Sequence, residues 1–189
     1  MKYKSLELLR QLEKQTRDHL DFVTSLKMMP EEELNRRPVD GAWNILECLQ
    51  HLNLYGEFYL GEISVRMGRS DSKPAVDFKS GLLGNYFARS ILPRDKTKKM
   101  KTFREMDPIY AGLTADVIDV FLDQLENLLR LLEQAESKDL NRIRIRLSFS
   151  RLFRLRLGDM FRFLVNHNVR HIVQIRNILS SRSRAESYH

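Results

Sequence analysis

Apolar residues recur at helical spacing over four long stretches of this chain. Leu9, Leu12, Leu20, Val23 and Leu26 fall on one face, with Glu, Lys, Arg and Gln between them, and predict a first helix over 5–27. MMPEEEL interrupts it: Pro30 is preset for the first turn of a short helical piece, and three Glu sit near that piece's positive end. A second helix is predicted from Asn44 to about Met67. Asn44 and Glu47 have capping-box spacing, Trp43 is placed to fold back on the first turn, and Ile45, Leu49, Leu52, Tyr59 and Ile63 form the apolar stripe. Glycine, proline and polar residues crowd 68–112, with a helical turn expected around 82–91, and a stretch this long suggests a functional lid or mobile loop. Ile118, Phe121, Leu125, Leu128 and Leu132 mark a third helix, capped by Thr114 and ending near Ala135. The last helix is predicted from Asp159 to about Leu179.

Four long amphipathic helices predict an all-α four-helix bundle with a long loop between helices two and three. At 189 residues the chain accommodates one domain, placed at 1–180, followed by a polar tail over 181–189. No internal repeat at a fixed period is evident. The apolar runs are too short to span a bilayer, and the N-terminal MKYKSLELLRQLEKQ lacks the apolar core and cleavage site of a secretory leader. Cys48 is the only cysteine, so an internal disulfide and a multi-cysteine zinc site are both excluded. A cytoplasmic location is expected. The net charge of +7 admits anionic partners without establishing one.

The candidate chemistry lies in the histidines. His167 and His171 are four residues apart in the last helix, about 40° apart around it and one turn apart along it. Relative to an apolar centre near Ile175, His171 lies about 40° away and His167 about 80°, so both point into or along the bundle interior. Two partly buried imidazoles are satisfied either by a shared metal ion or by carbonyls and water. Gln174 lies on the same edge and could orient a ligand or a water. His51 lies at the flank of the second helix's stripe, where spacing alone does not select it as a ligand. His19 reads as a boundary residue, and the terminal His189 is set aside. Glu47 reads as a cap, Glu57 and Glu62 as solvated, and Cys48 as packed, which leaves no general base and no catalytic side chain identified. P-loop, GxGxxG, GxSxG and HExxH motifs are absent.

The strings DGAWNILECLQHLNLY and RLGDMFRFLVNHNVRHIVQIRNI, in this order and separation, resemble the second and last helices of the DinB/YfiT-like superfamily. The resemblance spans nearly the whole chain. It implies a four-helix bundle with a divalent metal held at one end by His51, His167 and His171, nickel or zinc being the expected ion. A three-histidine set with open positions suits a catalytic rather than a structural metal. The resemblance also implies metal-dependent chemistry on a small molecule, either as a hydrolase or as a transferase of low-molecular-weight thiols.

The rival expectation is a non-enzymatic basic binding protein whose metal is structural or absent. Arg142, Arg144, Arg146, Arg151, Arg154 and Arg156 bear on it. Over 142–149 arginine or serine alternates with apolar residues, as in an extended connection with its apolar side on the core. The other reading of these arginines is an anion site. No nucleic-acid motif accompanies them, so nucleic acid is not expected as a partner; a homodimer is.

Overall fold

The computed structural model describes residues 1–93, 102–148 and 150–186. Expectations that concern 94–101, Phe149 and His189 fall outside these residues. The elements run in the order β1 (Lys2–Lys4), α1 (Ser5–Leu26), α2 (Glu31–Asn35), α3 (Ile45–Gly68), β2 (Asp77–Lys79), α4 (Leu82–Ser90), α5 (Asp116–Ala135), β3 (Arg144–Leu147), β4 (Ser150–Arg156) and α6 (Leu157–Glu186). A 3-10 turn spans Arg104–Met106. The chain is a four-helix bundle of α1, α3, α5 and α6, in which α3 packs on α5 and α6, and α1 packs on the same two helices. Among the described residues no helix is long and apolar enough to cross a membrane.

The periodicities locate the bundle helices, and burial explains their differences. On α1 the buried set Leu8, Leu9, Leu12, Thr16, His19, Val23 and Leu26 forms one stripe, the narrow face of a helix at the edge of a core. On α3 burial is nearly all round at first, taking in Leu46, Glu47 and Cys48 as well as the expected stripe. The capping box is formed: Asn44 Oδ1 accepts from the Glu47 amide at 2.8 Å, and Glu47 Oε2 accepts from the Asn44 amide at 2.8 Å. Glu47 also takes two bonds from Arg37 and one from the Tyr110 amide, so one buried carboxylate ties three segments together. Tyr110 has a φ of 62°, a left-handed conformation that holds this turn against Glu47.

Several details depart from expectation. Thr114 does not cap α5, which starts at Asp116; its hydroxyl bonds the Asp116 carboxylate instead. The turn near 82–91 is a nine-residue helix, α4, packed on α6. It approaches so closely at Gly84 that a Cβ there would lie 2.3 Å from the Asp159 carboxyl carbon. That carboxylate is immobilised, accepting from the Ser80 hydroxyl, the Gly81 amide and Arg162. The long loop also carries β2, which pairs antiparallel with β1. The arginine-rich segment is an antiparallel hairpin rather than a single extended strand, with Arg144 opposite Arg156 and Arg146 opposite Arg154. Ile145, Leu147 and Leu155 are buried beneath it. α6 runs through Glu186, so the helix extends into the stretch expected to be a tail.

The core divides into two apolar clusters. One contains Ile45 to Leu52 of α3 and Ile172 to Ile178 of α6; the other contains Tyr55 to Met67 and Leu157 to Val165. Buried polar residues lie where the two clusters meet, among them Asn53, Asn168 and the histidines His51, His167 and His171.

Candidate metal centre

His51 comes in two turns inside α3, and His167 and His171 come from consecutive turns in the middle of α6. All three are buried, with exposures of 3%, 4% and 5%. His51 Nε2 and His171 Nε2 each lie 3.1 Å from His167 Nε2, and one ligand atom from each ring falls within 4.8 Å of the others. His19 is also buried, contrary to its reading as a boundary residue, but stands apart from this cluster.

The outer ring nitrogens determine what the inner ones can do. His51 Nδ1 lies 2.6 Å from the Met106 carbonyl, which can only accept, so this nitrogen carries the proton. His171 Nδ1 lies 3.0 Å from Gln174 Oε1 and donates in the same way. Both Nε2 atoms therefore present bare lone pairs to His167. A neutral His167 can give a proton to only one of them, which strands its own Nδ1 as a buried acceptor. The other tautomer leaves three lone pairs converging. Either way the buried Nδ1 of His167 has no partner among the described residues. A cation at the convergence satisfies all three Nε2 atoms, the arrangement of a metal site, and two of the three rings are held for it by hydrogen bonds on their far side.

Electrostatics favours the same state. Burial holds His51 down to about 4, against the partial opposition of the Met106 carbonyl. His167 and His171 lie well below the usual imidazole range, first through burial and then through the neighbouring rings. Neutral imidazole is the ligand form, so the three rings fit a divalent ion at neutral pH without losing protons. An all-nitrogen set of this kind suits zinc, nickel, cobalt or iron.

A cavity of about 540 Å³ opens onto the histidines. Trp43, Tyr55, Phe87, Phe103 and Phe163 supply most of its wall, and Arg170 and Gln174 its polar edge. The Trp43 ring lies 4.7 Å from that of His51 and 5.7 Å from that of His171, and its Nε1 donates to Asp107 at 3.0 Å. Tyr55 meets His167 edge-on at 4.7 Å. Tyr55, Phe163 and Arg170 stand three or four residues from a histidine on the same helix. That spacing placed them beside the site in the sequence, although the sequence reading singled out none of them. The Met106 carbonyl comes from the last residue of the 3-10 turn, and no sequence signal marks it.

The remaining candidates do other things. Burial pushes the Cys48 thiol up, and Cys48 is fully enclosed. Glu47 is occupied by Arg37 and two amides. Glu57 is exposed. Glu62, expected to be solvated, is buried, and hydrogen bonds from Arg146 and Arg66 hold its carboxyl down to about 2. It lies about 16 Å along α3 from His51, so Arg146 of the hairpin serves that end of the helix. Arg142, Arg144, Arg146, Arg154 and Arg156 do not line the cavity.

The family model described as DinB superfamily matches residues 11–175 of the chain, which include all three histidines. No curated protein and no solved structure matches.

Proposed function

The chain belongs to the DinB superfamily, and on that footing we propose that it is a metal-dependent enzyme acting on small molecules, with His51, His167 and His171 as the ligands of one divalent ion. Nickel and zinc are the ions put forward. The observation that carries the proposal is the tautomer constraint: the Met106 carbonyl and Gln174 fix two bare nitrogens on a third at 3.1 Å, beside an open cavity. A divalent ion held by three histidines keeps open positions and brings the pKa of a coordinated water or thiol toward neutrality.

The protein's own part is to bind, orient and exclude. Met106 and Gln174 hold two rings in their ligand tautomers. Trp43 and Tyr55 close the flanks of the histidine cluster, and Phe87, Phe103 and Phe163 give an electrophile an apolar bed. Among the described residues no side chain there combines nucleophilicity with a neighbouring base, so we take the nucleophile to come from outside. Transfer of a low-molecular-weight thiol is the reaction we favour. A mostly aromatic cavity of about 540 Å³ has room for an electrophile and a small thiol together, and disfavours bulk water. Hydrolysis uses the same ligands with water as the nucleophile.

Elemental analysis of protein purified without an affinity tag tests the ion directly. Conjugation of a small thiol to monochlorobimane, with and without added divalent metal, tests the reaction. We expect a metal-dependent rate that His167→Ala abolishes, and a larger loss of metal affinity in His171→Ala than in His19→Ala. A rate indifferent to metal or to His167→Ala refutes the proposal; absence of both metal and turnover favours the non-enzymatic alternative.

A further inference from the structure

Among the described residues, Arg170 and Arg156 stand apart from the other partly buried arginines in having no carboxylate partner; Arg156 bonds the Lys79 carbonyl away from the histidines, and Arg170 lines the cavity. Arg37 meets Glu47 at 2.7 Å, Arg162 meets Asp159 at 3.2 Å and Arg182 meets Glu33 at 3.7 Å. Arg170 has no carboxylate within 4.0 Å among the described residues. Its one hydrogen bond there is from Nη1 to the Ile91 carbonyl at 3.3 Å, which uses one of five donors. It is partly buried. A guanidinium stripped of part of its water and given no anion is an incomplete arrangement in a folded chain.

Its position indicates what completes it. α6 places Arg170 next to His171 and one turn from His167, at the wall of the cavity that opens onto the histidines. It also lines a second, shallower groove of about 400 Å³ with Val173 and Asn177. Arg170 thus stands where the aromatic cavity gives way to the open groove. A ligand with its anionic group here extends its apolar part inward, toward the three imidazoles.

We propose that Arg170 is the specificity-determining residue of this cavity, recognising a carboxylate on a small molecule whose apolar body lies against the aromatic wall. This rests on the metal-site reading only for the identity of the pocket. The carboxylate belongs either to the electrophile or to the thiol; the chemistry recognised is the same. The planar fork of the guanidinium pairs two N–H groups with two carboxylate oxygens, which an ammonium cannot do.

Trp43 is the only tryptophan of the chain and lines the cavity, so its fluorescence reports occupancy. The probes are hydrocinnamate and its neutral amide, titrated into metal-free protein and again after addition of zinc. In the unaltered protein hydrocinnamate binds about tenfold tighter than the amide or better, as one charge-assisted pair provides. Added salt weakens the acid and leaves the amide unchanged. Arg170→Gln makes the two equal while the amide keeps its affinity, and Arg170→Lys falls between; melting curves and zinc affinity establish that both variants are folded. Thiol probes with and without a carboxylate, titrated in the same way, tell which reactant carries the group. Equal affinity in the unaltered protein, or no fluorescence change with either probe, overturns the proposal. So does a preference that appears only with zinc and survives Arg170→Gln, since the carboxylate is then on the ion. Failure to bind zinc with the acid preference intact would sink the metal reading alone.

Discussion

Replacing Gln174 separates the setting of a tautomer from mere packing. In the native arrangement Gln174 Oε1 accepts the proton of His171 Nδ1 at 3.0 Å and keeps His171 Nε2 bare. Leucine has about the same volume and accepts nothing. The imidazole of Gln174→Leu has a way out: its proton moves to Nε2, where His167 Nε2 lies 3.1 Å away as an acceptor. The metal-free protein then exchanges one hydrogen bond for another and loses less than about 1 kcal/mol. The metal ligand atom, however, is now blocked by a proton. Loss of the outer hydrogen bond of a ligating histidine typically costs about 10–100-fold in affinity, or about 1.4–2.7 kcal/mol. Gln174→Glu has the opposite sign, because a carboxylate is a stronger acceptor and raises the basicity of the ring. The assay is competition for zinc against a chromogenic chelator at neutral pH, with urea melts of the chelator-treated proteins beside it. Affinity within about twofold of the unaltered protein for Gln174→Leu refutes the tautomer argument. So does a fall in metal-free stability that matches the loss of affinity.

Two further outcomes are expected. Burial lowers His19 to about 4; the unfolded chain takes up its proton near pH 6.5 while the folded chain refuses it, so stability is full above about 6.5 and falls as pH drops toward 4. The loss reaches about 3 kcal/mol, and urea melts of His19→Leu should fall less steeply over that window than those of the unaltered protein, equal slopes showing that His19 does not titrate this way. Arg144 and Arg146 are both exposed, but Arg146 donates through Nε and Nη2 to the buried Glu62 carboxylate, so Arg146→Gln should lower the melting temperature more than Arg144→Gln; equal shifts would mean that the pair contributes nothing.

The bundle was legible because helix periodicity is a local property carried by many residues. α1, α3 and α5 fall within a residue or two of their expected bounds, and the Asn44–Glu47 box formed as spaced. The strands were less legible for the opposite reason. β1 and β2 are three residues each and exist through pairing between positions 2–4 and 77–79, which no local pattern encodes. The arginine-rich hairpin shows both sides. Alternation marked the buried Ile145 and Leu147, but where the strand turns back was not written in it, and two opposed arginine pairs are not a pairing that side-chain charge would suggest.

The site divides along the same line. His167 and His171 share a helix face at a spacing that any reader of the chain can convert into geometry, and Gln174 follows at the next step. His51 is different: its wheel position is unremarkable, and the motif resemblance alone picked it out. The structure supplies the physical reason, which lies in tertiary contact. The chain over 102–113 returns across the start of α3, anchored by Glu47 to the Tyr110 amide and by Trp43 to Asp107, and so sets the Met106 carbonyl on His51 Nδ1. Glu47 therefore does more than cap a helix. The carboxylate that starts α3 also pins the segment that fixes the tautomer of the histidine one turn further on. A residue with a sufficient local explanation in the sequence thus has a second, long-range one in the fold, and the helix cap and the orientation of the His51 ring share one carboxylate.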